Sequence, residues 1–278
     1  DVGSVQLKLN DDGFYTLMIG CSDMGTGCDT ILAQMAADGL GCDMDNIIVR
    51  GVDTDQSPYD SGSYASSTTY VTGGAVVKAC ESMRKRICEE AAAIMGLKSG
   101  EVDFDGETIS ENDNPEHSMT LSDLITSLEA GNGRIIEVTE SHTSPVSPPP
   151  FMAGAAEIEV DLETGKITPI NYVAAVDCGT VINTNLARIQ TEGGIVQGMG
   201  MTLYEDVQYT EAGKMKNRNF MSYKIPTRLD MGSISVEFES SYEQTGPYGA
   251  KSIGEIVINT PAPAIADAVY NATGLRFR

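Results

Sequence analysis

The sequence predicts an α+β fold built from two related subdomains, residues 1–143 and 144–278. Two observations carry that prediction. A strand hairpin, a cysteine-containing loop and a helix follow one another near the start and again after residue 150, with Cys21 and Cys178 at similar places. Between the two copies lies Ser144-Pro-Val-Ser-Pro-Pro-Pro, whose prolines favour a stiff extended connector. A chain of 278 residues with 41% hydrophobic content is long enough to bury one large core or two ordinary ones.

In the first half, Val5-Gln-Leu-Lys-Leu and Phe14-Tyr-Thr-Leu-Met-Ile alternate around Asp11-Asp12-Gly13, which predicts a hairpin. Cys21-Ser-Asp-Met-Gly-Thr-Gly then leads into a helix from Asp29 to Asp38, with Ile31, Leu32, Met35 and Ala36 on one face. Loop amides beside a helix amino end suit an anionic group, although two glycines in such a place also serve a plain tight turn. Asn46 to Val52 predicts a strand, and the long polar run that follows belongs to a functional loop or to disorder. It enters a helix from Thr69 to Met95, where Ser66, Ser67 and Thr68 supply either N-caps or anion contacts. The acid-rich stretch from Glu101 to His117 has little hydrophobic pattern and is expected to be a solvated excursion. A short capped helix from Thr120 to Leu128 and a strand from Gly133 to Thr139 complete this half.

In the second half, Ala156-Glu-Ile-Glu-Val-Asp-Leu and Lys166-Ile-Thr-Pro-Ile-Asn-Tyr-Val-Ala-Ala-Val flank the turn Glu163-Thr164-Gly165. After Asp177-Cys-Gly, a helix is expected from Asn183 to Met201. It contains Gln190-Thr-Glu-Gly-Gly-Ile-Val-Gln-Gly-Met-Gly, and each glycine costs about 1 kcal/mol of helix stability relative to alanine. Such a cost points to close approach of another backbone or a ligand. Phe220 to Thr227 is expected to form a short buried segment, and Ser233 to Glu239 an alternating strand.

The last segment, Thr245 to Tyr270, places Glu255 between Gly246, Gly249 and Gly254 on one side and a helix opening near Thr260 on the other. Ile253, Ile256 and Ile258 would wall this carboxylate and partly desolvate it, which is how a general base is tuned. The alternative is an ordinary loop acid.

A net charge of −22, from 40 acidic and 18 basic residues, repels polyanions, so neither nucleic acid nor an anionic membrane is expected as a partner. With no signal-peptide pattern and no long apolar run, the chain reads as cytoplasmic. Six cysteines without a Cys-x-x-Cys pair, and only His117 and His142 beside them, argue for free thiols and against a protein-ligated metal.

Six ordered blocks now resemble the molybdenum hydroxylases of the xanthine dehydrogenase and aldehyde oxidoreductase type, in the C-terminal half of their molybdopterin-binding region. They are Asp23-Met-Gly-Thr-Gly, Asp60-Ser-Gly-Ser-Tyr-Ala-Ser-Ser, Asp177-Cys-Gly-Thr-Val-Ile-Asn, the Gln190 block, Tyr223-Lys-Ile-Pro-Thr and Gly249-Ala-Lys-Ser-Ile-Gly-Glu. The resemblance implies hydroxylation of an electron-poor carbon with water as the oxygen source. It implies Glu255 as the general base, Gln190 and the backbone of Tyr64, Ala65, Ser66, Ser67 and Thr68 as pyranopterin contacts, and Met24, Gly25 and Gly27 on its phosphate side. Tyr64, Ala65 and Gly254 would border the substrate. Molybdenum would be held by the cofactor dithiolene, with no protein ligand.

Three departures from the family pattern concern this site: Thr26 replaces a common glutamine, Tyr64 replaces a small residue, and Ile256-Val257 replaces Pro-Pro. The length and the missing glycine-rich block resemble the medium molybdopterin subunit of nicotinate dehydrogenase. That likeness implies a larger molybdopterin subunit completing the site, an iron-sulfur subunit with a 2Fe-2S cluster, an FAD subunit, and molybdopterin cytosine dinucleotide as the cofactor form. Nicotinate is the expected substrate, an aldehyde or a purine being the alternative, as is a non-catalytic assembly subunit with a degenerate site.

Overall fold

The structure, a computed structural model, describes residues 1–277; Arg278, the last residue of the second predicted subdomain, lies outside the described residues. The chain separates into two compact units, one formed by Asp1–Pro148 with Glu243–Ala250 and the other by Pro149–Tyr242 with Lys251–Arg278. Sequence reasoning puts the boundary at 143/144; the division at 148/149 falls inside the same proline connector. The return of Glu243–Ala250 to the first unit has no signature in sequence. It rests on side chains, since the Tyr248 hydroxyl donates to the Met35 carbonyl at 2.9 Å and the Tyr70 and Thr245 hydroxyls pair at 2.6 Å.

In the first unit, β1 (Val2–Leu9) and β2 (Tyr15–Ile19) form the expected antiparallel hairpin. Val5, Leu7 and Leu9 of β1 face inward with Tyr15, Leu17 and Ile19 of β2, as alternation requires. After β2 comes α1 (Cys28–Leu40), then β3 (Ile47–Gly51), which pairs parallel to β2. A 3₁₀ turn at Tyr64–Ser66 and a π turn at Thr68–Thr72 lead into α2 (Gly73–Met95). The acid-rich excursion is a small antiparallel sheet of β4 (Val102–Phe104), β5 (Thr108–Glu111) and β6 (Asn114–Thr120). Then α3 (Leu121–Asn132) and β7 (Ile136–Thr143) follow, and β7 pairs along the whole of β1 to give the order β3-β2-β1-β7.

In the second unit, β8 (Phe151–Val160) and β9 (Ile167–Asp177) form the hairpin, α4 (Thr184–Leu203) follows, and β10 (Ser233–Phe238) pairs parallel to β9. The chain then reaches a 3₁₀ turn at Pro247–Gly249 and α5 (Pro261–Thr273). Hairpin, helix, parallel third strand and second helix thus occur in the same order along both halves of the sequence. Its core joins Tyr172, Ala174 and Val176 of β9 to Ile195 and Met199 of α4 and Ile265 of α5.

Three of the four glycines in the α4 block are explained by contact. A Cβ at Gly194 would meet Val257 Cγ2 at 2.1 Å, one at Gly198 would meet Pro261 at 2.8 Å, and one at Gly200 would meet Glu205 at 2.5 Å. Nothing stands within 4 Å of a Cβ at Gly193. Gly194→Ala should therefore cost about 1–3 kcal/mol by overpacking, whereas Gly193→Ala should be neutral or stabilise by up to about 1 kcal/mol. Urea unfolding of the two variants checks this, and equal midpoints would contradict the contact account.

Phe220 to Thr227, expected to be buried, lies outside: Phe220 is 81% exposed and Met221 86%. No helix among the described residues is long and apolar enough to cross a membrane.

Candidate cofactor site

The sequence-selected residues of the first unit lie beyond the carboxyl ends of a parallel strand pair, where loops can reach a ligand. In the first unit those loops follow β2 and β3. The β2 loop is organised by Asp23, whose Oδ1 accepts from the Gly25 amide at 2.9 Å and the Gly27 amide at 3.1 Å, while Oδ2 accepts from the Asp29 amide at 3.4 Å. Slight burial pushes the Asp23 carboxyl up, but these amides together outweigh it and hold the group below the usual carboxylate range.

The Gly25 and Gly27 amides, expected on the phosphate side of the cofactor, thus donate to a carboxylate of their own loop. Asp29 beside them adds a second negative charge. Met24 projects from the loop, 70% exposed. Asp23, Cys28 and Asp29 bring potential metal-ligating atoms within 4.8 Å of one another. The oxygens of Asp23, however, are committed to the amides just described.

The β3 loop ends in the turn at Tyr64–Ser66, where Ala65 (φ 52°) and Ser66 (φ 57°) are left-handed in succession. Two non-glycine residues in that region store backbone strain of order 1–3 kcal/mol each, a feature that clusters at ligand sites. Polar bonds hold the turn: Asp60 accepts from the Gly62 amide and the Thr72 hydroxyl, each at 2.8 Å. Ser67 Oγ donates to the Gly62 carbonyl at 2.9 Å, and Thr68 Oγ1 to Ser63 Oγ at 2.9 Å. The hydroxyls point back into the turn, so the expected N-cap is not made: no side chain caps the helical run that opens at Thr68. The first amides of a helical run lack intrahelical partners, so without a side-chain cap they need another acceptor. Tyr64, 58% exposed, donates its hydroxyl to Asp1 Oδ1 at 2.7 Å.

In the second unit Gln190 is half-buried on α4. Glu255 and Gly254 are exposed, with Glu255 opening the 3₁₀ turn Ile256–Ile258. The expected apolar wall is not formed around this carboxylate. Val257 turns inward onto Gly194 while Glu255 turns out, because residues two apart in a 3₁₀ turn lie on different faces. Cavities of about 410 Å³ beside Lys8 and Arg134 and about 560 Å³ beside Glu192 and Arg228 are lined by none of the predicted site residues.

Sequence reasoning passed over the group that sets this loop. Lys251 Nζ lies 2.6 Å from Asp177 Oδ2 at the end of β9, with the two side chains 10% and 21% exposed. Lys251 also donates to the Pro149 carbonyl at 3.4 Å, and its amide donates to the Cys178 carbonyl at 2.8 Å. Burial raises the Asp177 carboxyl, but the bonds from Lys251, Ser241 and the Gly179 amide outweigh it and keep it below the usual range. Both residues stand in motif blocks, and their opposite charges on either side of a strand end were the available signal.

Fold and loops together define an α+β domain whose elements follow the same order twice, with candidate ligand contacts of the first unit beyond the carboxyl ends of parallel strands. Residues 1–232 match the molybdopterin cofactor-binding domain family. The chain belongs to that family, within the molybdenum hydroxylases. It is 33% identical over 283 residues to the probable hypoxanthine oxidase XdhD of Escherichia coli strain K12, covering 100% of this chain and 29% of that protein. It is 29% identical over 280 residues to the putative xanthine dehydrogenase molybdenum-binding subunit XdhA of the same strain, covering 99% and 37%. Among solved structures, quinoline 2-oxidoreductase from Pseudomonas putida 86 superposes with a TM-score of 0.87 at 26% identity, over 98% of this chain and 36% of that one. The chain thus spans about a third of the length of the curated relatives it matches.

Proposed function

We propose that these residues are part of the molybdopterin-binding subunit of a molybdenum hydroxylase that oxidises an electron-poor carbon of an N-heterocycle, with Glu255 as general base. The observation that carries the cofactor part of this reading is the family match over residues 1–232; the role of Glu255, which lies beyond that span, rests on its motif block Gly249-Ala-Lys-Ser-Ile-Gly-Glu. The ring class is supported by the names of the relatives, which refer to hypoxanthine, xanthine and quinoline. Nicotinate, another electron-poor N-heterocycle, stays within that class.

The turn from Tyr64 to Thr68 would contact the pterin, as would the half-buried Gln190, with Met24, Gly25 and Gly27 on the phosphate side of the cofactor. When bound, the cofactor supplies a two-electron acceptor for the substrate carbon. Glu255 takes the proton from the attacking oxygen, a role that requires an ionised carboxylate in a site that excludes water. Glu255 is exposed in this chain, so polypeptide beyond residues 1–278 would complete that wall; a larger molybdopterin subunit is the proposed source. Partner subunits with a 2Fe-2S cluster and FAD would carry electrons away, in the cytoplasm, and the cytosine dinucleotide is the proposed form of the cofactor.

Metal and nucleotide analysis of the purified complex tests the reading. One molybdenum and one pterin cytosine dinucleotide per copy of this chain are expected, with turnover of hypoxanthine, xanthine, nicotinate or quinoline exceeding that of simple aldehydes. A fully assembled complex without molybdenum would make the chain an assembly subunit.

A further inference from the structure

Between α4 and β10 the chain leaves the core of the second unit and forms a strap, residues 204–232, whose charge is opposite to that of the rest of the molecule. Lys214, Lys216, Arg218, Lys224 and Arg228 put five of the 18 basic residues into fifteen consecutive positions that contain no acid. The whole chain carries −22. All five side chains are exposed, and none is ion-paired among the described residues. In so acidic a protein these five cations have no carboxylate partner among the described residues; Lys224 Nζ donates to the Met221 carbonyl at 2.7 Å and Arg228 to the Met231 carbonyl at 3.2 Å, whereas Lys214, Lys216 and Arg218 make no such side-chain bond among the described residues.

Apolar side chains stand among these charges. Phe220 is 81% exposed, Met221 86%, Ile225 51% and Leu229 96%. Slack does not explain the exposure, because the strap is tied from within. Asn217, 8% exposed, accepts from the Gln208 amide at 3.0 Å and donates to the Asp206 carbonyl. The Tyr223 hydroxyl donates to Glu205 at 2.6 Å, and Asn219 Oδ1 accepts from the Met221 amide at 3.1 Å. Thr227 and Asp230 close the last turn, with the Thr227 amide and hydroxyl each 2.7 Å from the Asp230 carboxylate. Ordered backbone therefore holds Phe220 and Met221 out in water, at an entropic and hydration cost that burial against a partner would reverse.

We infer that residues 214–228 are a docking surface for a protein chain with an acidic face around an apolar centre. Exposed aromatic and methionine side chains interspersed with Arg fit the composition of a protein interface, and the lysines suit its polar rim. Opposite charge on the partner would steer association and set its register. Nucleic acid and anionic membrane fit less well, since the remaining charge of the chain repels both and the apolar residues are held by a folded strap rather than along one face of a helix. This inference is independent of the cofactor reading.

Carbodiimide coupling of the purified native complex, followed by peptide mass spectrometry, tests it, because that reagent joins an amine to a carboxylate only where the two touch. Lys214, Lys216 or Lys224 should be joined to Asp or Glu of a different polypeptide. Replacing Lys214→Glu, Lys216→Glu and Arg218→Glu together should weaken binding of that polypeptide at least about tenfold. The pair Phe220→Ser and Met221→Ser should weaken it too, with unchanged salt dependence. These side chains are exposed, so unaltered thermal unfolding is expected, and salt titration of the unmodified complex gives a readout that needs no variant. Coupling confined to this chain or, in isotopically mixed samples, to a second copy of it would overturn the inference. So would affinity unchanged by charge reversal, or binding that appears only with phosphatidylglycerol vesicles or RNA.

Discussion

Glu255→Gln is expected to lower kcat of the assembled enzyme by about 10²- to 10⁴-fold, the range that a positioned general base contributes, while molybdenum and pterin content stay at wild-type levels. The amide matches the carboxylate in shape and cannot accept a proton. Two features of the structure make the substitution a clean test. Glu255 is exposed, so the change should alter folding stability by no more than about 0.5 kcal/mol. Its neighbour Val257 is buried against Gly194, so the turn that carries residue 255 is held independently of that side chain. Steady-state kinetics with metal analysis on the same samples separates chemistry from loading, and full activity of the variant would remove Glu255 from the mechanism.

Lys251→Met is expected to destabilise the second unit by about 3–5 kcal/mol, because removing one partner of a buried ion pair strands the other. Asp177 keeps about a fifth of its side chain in water, which places the expected loss toward the lower end. The pH dependence has a defined sign. Asp177 sits below its unfolded value in the folded chain, so its contribution is present above about pH 4 and is lost as pH falls through the folded value. Without Lys251 the carboxyl loses its main partner while burial still raises it, so acid unfolding should begin at higher pH. Denaturant titrations between pH 3 and about 7 measure both effects. A variant as stable as wild type, with the same acid midpoint, would show that the pair contributes nothing. Because Lys251 also anchors the loop that leads to residue 255, lower kcat with retained cofactor is the expected secondary outcome.

Local elements were read well from sequence where a single face meets a core. The alternation in Val5 to Leu9 and Phe14 to Ile19 and the run from Thr69 to Met95 each became the predicted element within a few residues. The glycines of the Gln190 block signalled close approach, and Val257 and Pro261 supply it. Side-chain direction and long-range pairing were less legible. Ile253, Ile256 and Ile258 were expected to enclose Glu255, but turn geometry faces it outward. The bonds from the Gly25 and Gly27 amides to Asp23, two residues before the first of them, were likewise not read. Phe220 and Met221 were expected inside on hydrophobicity alone, yet the strap holds them out.

By itself, the sequence determined the duplicated order of elements, the proline connector and the motif blocks that mark the family, because periodicity and turn chemistry act over a few neighbouring residues. Tertiary structure alone decided the return of Glu243–Ala250 to the first unit, the Lys251–Asp177 pair across 74 positions of chain, and the outward face of Glu255. Those outcomes depend on which distant atoms win each polar group and each buried volume. Such competition is settled only when the strands and helices pack.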